Sequence, residues 1–434
     1  MGRKLNRVCD SRYVKILFSL CWLVYCTSYL GRLNYSSAMT LMISEGVLTA
    51  SAAGFISMLY FFAYAIGQLI NGLAADRINP VHMISYGLVM SAVANLFMGV
   101  GSGFLFMAVM WGINGFCQSM IWAPVIRIFA EMLSERDKVN CSVNIASSGV
   151  VGTFLSYILS AALMAVLPWN SVFWSAALLL VLVAVIFRAG MRKVAVHSVG
   201  QSPEDKEQGD KEQEDKGQEN KEQGNNGKPV NEVRHEKGDT GRLIVTSGLL
   251  FLLIPVIIHG MLKDGVTTWV PAYISGNFGI SASFSVLLTT ILPVINLTGA
   301  YAGRYVYRRT RNNIGLSLGA FFGLALAALG LLLVAENTSM ILALLLLAVI
   351  TSSMMAINTL AINVFPLRFE KYGRVSSMSG FLNAMAYLGS ALSTYVIGII
   401  VEQAGWRTTM IVWFMGATLA FVLCLWAVKK VREV

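Results

Sequence analysis

The sequence predicts an all-α membrane protein, with twelve transmembrane helices arranged as two related six-helix bundles. Three observations lead there. Apolar residues fill 56% of the 434 positions and charged residues only 13%, about half the charged share of an ordinary soluble domain. Apolar stretches long enough to cross a bilayer recur along the whole chain. A single polar segment divides them six from six, and matched residues recur on either side of it.

A bilayer's hydrocarbon core is roughly 30 Å thick, so a helix rising 1.5 Å per residue needs about 20 residues to cross it. On that rule helices are expected near 14–42, 51–75, 82–101, 104–129, 139–165 and 170–190. A second set is expected near 243–275, 282–307, 313–335, 338–364, 373–400 and 406–428. The domains are then an N-terminal bundle over 1–193, a linker over 194–241 and a C-terminal bundle over 242–434.

Twelve crossings put both termini on one side. That side collects Arg3, Lys4, Arg188, Arg192, Lys193, Arg308, Arg309, Lys429 and Lys430, whereas the opposite loops carry Glu45, Glu336, Glu402 and Arg407. The excess of basic residues marks the cytoplasmic side, so both termini are expected in the cytoplasm, as in a bacterial inner membrane. The basic start runs into an apolar stretch too long for a cleavable signal peptide.

The formal charge is +10, yet the basic residues lie between apolar runs and form no continuous face, so nucleic acid is not an expected partner. The lipid bilayer is. Between 204 and 239 there are 12 acidic and 7 basic residues, a local charge of −5. This low-complexity stretch has almost no large apolar side chains and is expected to be a disordered, solvated tether. Cys9, Cys21, Cys26, Cys117, Cys141 and Cys424 show no CxxC spacing and none falls in an expected external loop, which argues against disulfides and metal sites.

An offset of 231 lays Arg32 on Lys263, Gly72 on Gly303 and Arg77 on Arg308. An offset of 236 then lays Phe129 on Phe365 and Lys138 on Arg374. Two parallel-oriented repeats of this kind place a solute site at their interface, near the membrane midplane.

Arg32 and Lys263 are the two cations at that depth. Arg32 lies 13 residues before Glu45, about 20 Å along a helix and beyond the reach of a snorkelling side chain. A cation there costs roughly 2.5–3.5 kcal/mol to insert, so both are expected to face a shared cavity and attract a small anionic solute. Asp264 follows Lys263 directly; on a regular helix the two point about 100° apart, which argues against a good direct pair. Local neutralisation of Lys263 or proton coupling is the expected role of Asp264. Tyr29 and His259 flank the cations, and Tyr64, Gln68, Trp122, Ser147 and Tyr387 are further polar or aromatic candidates within the spans. Many such polar residues only bond helix to helix. No HExxH, GxSxG or P-loop is present, so neither catalysis nor a nucleotide or other cofactor is expected.

Gly72-Leu-Ala-Ala-Asp76-Arg77, continued by Ile78-Asn79-Pro80, resembles the GxxxDR motif of the major facilitator superfamily. Tyr29-Leu-Gly-Arg32-Leu-Asn34-Tyr35, Trp122-Ala-Pro124-Val-Ile-Arg127 and Leu262-Lys263-Asp264-Gly265-Val-Thr-Thr-Trp269-Val-Pro271-Ala-Tyr273 are similar to stretches of its organophosphate:phosphate antiporters. The resemblance implies the major facilitator fold, a monomer, and phosphate bound between Arg32 and Lys263. Here a lysine stands at the second basic position, Gln68 where some members have lysine, Ser147 where some have histidine, and Asp264 where the residue is uncharged. Tyr29, Tyr64, Trp122 and Tyr387 are expected to select the organic moiety. Asp76, Arg77, Glu131 and Arg136 are expected to form a cytoplasmic gate, with Arg127 and Glu131 paired at i and i+4. Proton-coupled symport of an organic acid such as a hexuronate, and sensing of a sugar phosphate without transport, are the alternative functions.

Overall fold

The computed structural model describes residues 6–8, 10–75, 78–101, 103–134, 137, 140–141, 144–198, 249–335, 338–366 and 375–430. Asp76, Arg77, Arg136 and most of the linker lie outside these. The N-terminal helices are α1 (Ser11–Ser44), α2 (Ala50–Ala75), α3 (Pro80–Val100), α4 (Phe104–Met132), α5 (Ala146–Met164) and α6 (Asn170–Val196). α6 runs on past the expected linker boundary at 194, because its amphipathic end still buries Met191 and Val194.

The second set comprises α7 (Leu249–Phe278), α8 (Ala282–Arg309), α9 (Ile314–Val334) and α10 (Met340–Val364). The last segment, Val375–Lys430, is two helices bent at Gly405, α11 over 375–404 and α12 over 406–430. Its φ of +75° there suits a residue without a Cβ. Twelve helical segments of membrane length are therefore present among the described residues, and no strand is assigned there.

Short polar side chains set the helix starts. Asp10 caps α1 by accepting from Arg12 N at 2.8 Å, and Asn79 caps α3 ahead of Pro80. Ser281, Asn313 and Ser339 cap α8, α9 and α10. Each oxygen satisfies an N–H that the helix leaves without a partner. The large exposed side chains, among them Leu178, Val185, Leu331 and Leu419, form the apolar exterior that a bilayer would cover.

In a bilayer helices are drawn together by close packing rather than by hydrophobicity, so small residues mark the tightest seams. Gly152 of α5 lies against the carbonyl of Cys26 on α1, and Gly389 of α11 against that of Ile257 on α7. Cys26 and Ile257 are separated by 231 residues, the repeat offset, so one seam occurs in both halves. Gly389→Val would drive side-chain atoms into the Ile257 carbonyl. It is expected to cost about 1–3 kcal/mol, as overpacking does, seen as a lower Tm of the purified protein. Gly72→Ala, at a position with no heavy atom within 4 Å of an added Cβ, should leave Tm unchanged.

Candidate functional site

α1 delivers Arg32 and α7 delivers Lys263 to one ring, that of Tyr387 on α11. The Arg32 guanidinium carbon is 5.5 Å from the ring centroid and Lys263 Nζ is 5.4 Å from it. Arg32 Nη2 also donates to Tyr387 Oη at 3.4 Å. Tyr64 lies 5.0 Å from the guanidinium, and Tyr29, Tyr60 and Phe61 each 5.8 Å. Arg32 thus rests in a cage of π faces, which offset part of its desolvation. Among the described residues no carboxylate pairs with it.

Lys263 does have a carboxylate partner. Its Nζ lies 3.4 Å from Asp264 Oδ1, and Ser390 Oγ of α11 donates to Asp264 Oδ2 at 2.7 Å. The pair departs from the expectation set by the angle of about 100° between adjacent helical positions. That angle describes only the Cα–Cβ directions, whereas the flexible four-carbon lysine stem lets the ammonium swing back to its neighbour. Side-chain exposures of 26% for Lys263 and 13% for Asp264 leave the pair partly exposed.

Other expected residues group around this core or stand apart from it. Trp122 packs on Tyr25 at 4.6 Å, and Tyr25 on Tyr29 at 5.4 Å, so an aromatic row leads from α4 to Arg32. Asn383 of α11 donates to Gln68 of α2 at 3.4 Å, joining the two halves. His259 is fully buried, its Nε2 3.2 Å from Asn358 Oδ1, directly before the π-helical turn Thr359–Val364. Ser147 is exposed, accepts from Trp22 Nε1 at 2.9 Å and donates to Asn144 O; none of these bonds reaches either cation. Arg127 pairs with Glu131 at 2.6 Å and donates to the carbonyls of Ala75 and Ile78. It therefore ties α4 to the end of α2.

Sequence reasoning missed Tyr60, Phe61 and Ser390. Tyr60 stands one turn before Tyr64 and Ser390 three residues after Tyr387, so helical spacing on faces already singled out was the available signal. A buried network of Asn34, Asn95, Asn114, Ser91 and Gln118 fixes the start of the site. Asn114 Nδ2 donates to the Gly31 carbonyl at 2.8 Å, and Asn34 Nδ2 to Asn95 Oδ1 at 2.7 Å.

The halves meet tightly at the end away from the chain termini. A Cβ on Gly54 of α2 would lie 2.5 Å from Thr394 O, and Gly398 of α11 packs on the Ala50 carbonyl. Glu402 accepts from Ser51 N at 2.9 Å, and Ser36 of α1 donates to Thr268 O of α7 at 2.7 Å. At the other end of the same helix pair, neither Gly72 nor Gly380 has a neighbour within 4 Å of an added Cβ. The helix pair is thus closely packed at the end away from the termini and less closely at Gly72 and Gly380, with the Asn383–Gln68 bond between.

Twelve membrane-length helices in this arrangement define the fold of a membrane transporter. The chain belongs to the Major Facilitator Superfamily, whose model matches residues 21–379. The "Probable hexose phosphate transport protein" of Chlamydia pneumoniae is 21% identical over 430 residues, covering 95% of this chain and 90% of that one. The "Glycerol-3-phosphate transporter" of Bacillus subtilis is 23% identical over 416 residues, covering 92% and 88%. The fold is similar to that of a bacterial homolog of the human lysosomal transporter Spinster in its inward-facing and occupied conformation. The TM-score is 0.74 at 13% identity, with 98% and 99% of the chains covered.

Proposed function

We propose that this protein is a secondary transporter of the bacterial plasma membrane that exchanges a small organophosphate, of the sugar phosphate or glycerol phosphate class, for inorganic phosphate. The observation that carries the reading is the convergence of Arg32 and Lys263, one from each half, on Tyr387. Full-length similarity to a glycerol-3-phosphate transporter and a hexose phosphate transport protein supports the substrate class.

The two cations hold the phosphoryl group, Arg32 through its planar fork and Lys263 as a point charge. Tyr29, Tyr64, Tyr387 and Trp122 face the organic moiety. With both termini cytoplasmic, the close contacts at Gly54, Gly398 and Glu402 form the periplasmic closure. Switching requires the site to be enclosed from both sides. Enclosing an Arg32 without a counter-ion carries a desolvation cost of several kcal/mol, which a bound anion offsets. The empty protein therefore switches slowly, and exchange follows from electrostatics.

Purified protein in liposomes is expected to take up labelled glycerol 3-phosphate or glucose 6-phosphate at least about tenfold faster with phosphate inside than without, a barrier difference of about 1.4 kcal/mol. Uptake driven by a proton gradient and indifferent to internal phosphate would replace exchange with symport. Ligand binding by folded protein without flux under any loading would replace transport with sensing.

A further inference from the structure

We infer that the end of the N-terminal bundle nearest the chain's start carries a binding site for one anionic phospholipid, separate from the central cavity. A cavity of about 210 Å³ lies between the start of α3 and the end of α6, lined by Asn79, His82, Arg188 and Arg192 with Met132 and Met191 beneath. Arg188 and Arg192 are one turn apart on α6 and so share a face. Both are exposed, and neither forms an ion pair among the described residues. Two guanidinium groups lining one cavity beside the first turn of α3 match the oxygens of a phosphodiester, whose charge they can meet with bidentate hydrogen bonds.

The surface below the cavity decides between a membrane lipid and a dissolved phosphate. Val181 and Val185 continue the Arg188–Arg192 face down α6, and Tyr86 and Val93 continue the His82 face down α3. Val185 is 62% exposed and Tyr86 61%. These apolar side chains face the acyl region of the bilayer. A ligand with a phosphate head and two chains fills the cavity and the stripe together, whereas a soluble anion fills only the first. Basic pockets between helices at the cytoplasmic membrane surface suit such headgroups.

Native mass spectrometry of the intact protein with phosphatidylglycerol and phosphatidylcholine of identical chains tests the inference. The wild type is expected to retain one phosphatidylglycerol about tenfold in preference to phosphatidylcholine. Arg188→Gln with Arg192→Gln should abolish the preference, Arg188→Lys with Arg192→Lys should keep most of it, and Arg308→Gln with Arg309→Gln in the other half should not alter it. A preference that survives the glutamine pair, or an absence of preference in the wild type, would overturn the site. Displacement by excess glycerophosphoglycerol, the headgroup without its chains, would assign the cavity to a soluble anion instead.

Discussion

Arg32→Ala is expected to abolish anion exchange, lowering the rate in liposomes at least about 100-fold, which corresponds to about 2.7 kcal/mol. Arg32 is the cation of the site without a carboxylate among the described residues, so its loss removes the charge that most directly answers an incoming anion. A charge-assisted hydrogen bond contributes roughly 1.5–3 kcal/mol, and a forked guanidinium can supply two. The change also frees the hydroxyl of Tyr387 and empties the ring cage, where the cation–π attraction amounts to about 2 kcal/mol when desolvated. A melting curve and size-exclusion profile like those of the wild type would separate lost binding from lost folding. Arg32→Lys separates charge from geometry, because an ammonium keeps the charge and loses the fork. Partial exchange with a raised KM is expected. Wild-type rates in Arg32→Ala would remove Arg32 from the binding site and with it the central argument for phosphate.

The twelve helices were legible because apolar span length is a strong signal in a medium that cannot hydrate a backbone. The depth of Arg32 and Lys263 was legible for a related reason: an isolated cation at the midplane is too costly to leave unexplained. What stayed hidden depends on side-chain reach and on which faces meet. The Lys263–Asp264 pair is invisible to an argument from helical angles, since it is made by torsions along the lysine stem. The cage residues Tyr60 and Phe61 sit in an apolar run, Leu59 to Ala63, that reads as an ordinary membrane helix. The bend at Gly405 and the π-helical turn before Phe365 depend on backbone torsions and have no composition of their own.

Asn34, Asn95 and Asn114 show the same limit from the other side. Each could have been a substrate contact, and each is spent on joining α1, α3 and α4 around the Gly31 carbonyl. They act one residue away from Arg32, so their contribution to binding is to hold the helix that presents it. Polar residues inside a membrane protein divide in this way between the cavity and the seams, and only packing tells them apart.

Asp264→Asn is expected to change which anions the protein prefers more than whether it transports them. Arg32, Lys263 and Asp264 together carry one net positive charge, and the substitution raises it to two by leaving Lys263 uncompensated. The amide still accepts from Ser390 Oγ, so the α7–α11 contact persists. Two unit charges 4 Å apart interact by about 4 kcal/mol at an effective dielectric of 20, and the partial exposure of Lys263 and Asp264 lets solvent screen much of that. An approximately tenfold lower KM for phosphate esters, about 1.4 kcal/mol, is the expected share of it. Singly charged carboxylates should gain less, because one negative charge cannot neutralise two cations. The empty site becomes harder to enclose, so the dependence of uptake on internal phosphate should steepen. If Asp264 carried protons instead, the same variant would lose accumulation driven by a proton gradient and keep its anion preference. Measuring KM for glycerol 3-phosphate and for a hexuronate in wild type and Asp264→Asn, with and without a pH gradient, distinguishes a carboxylate that sets the charge of the site from one that moves a proton through it.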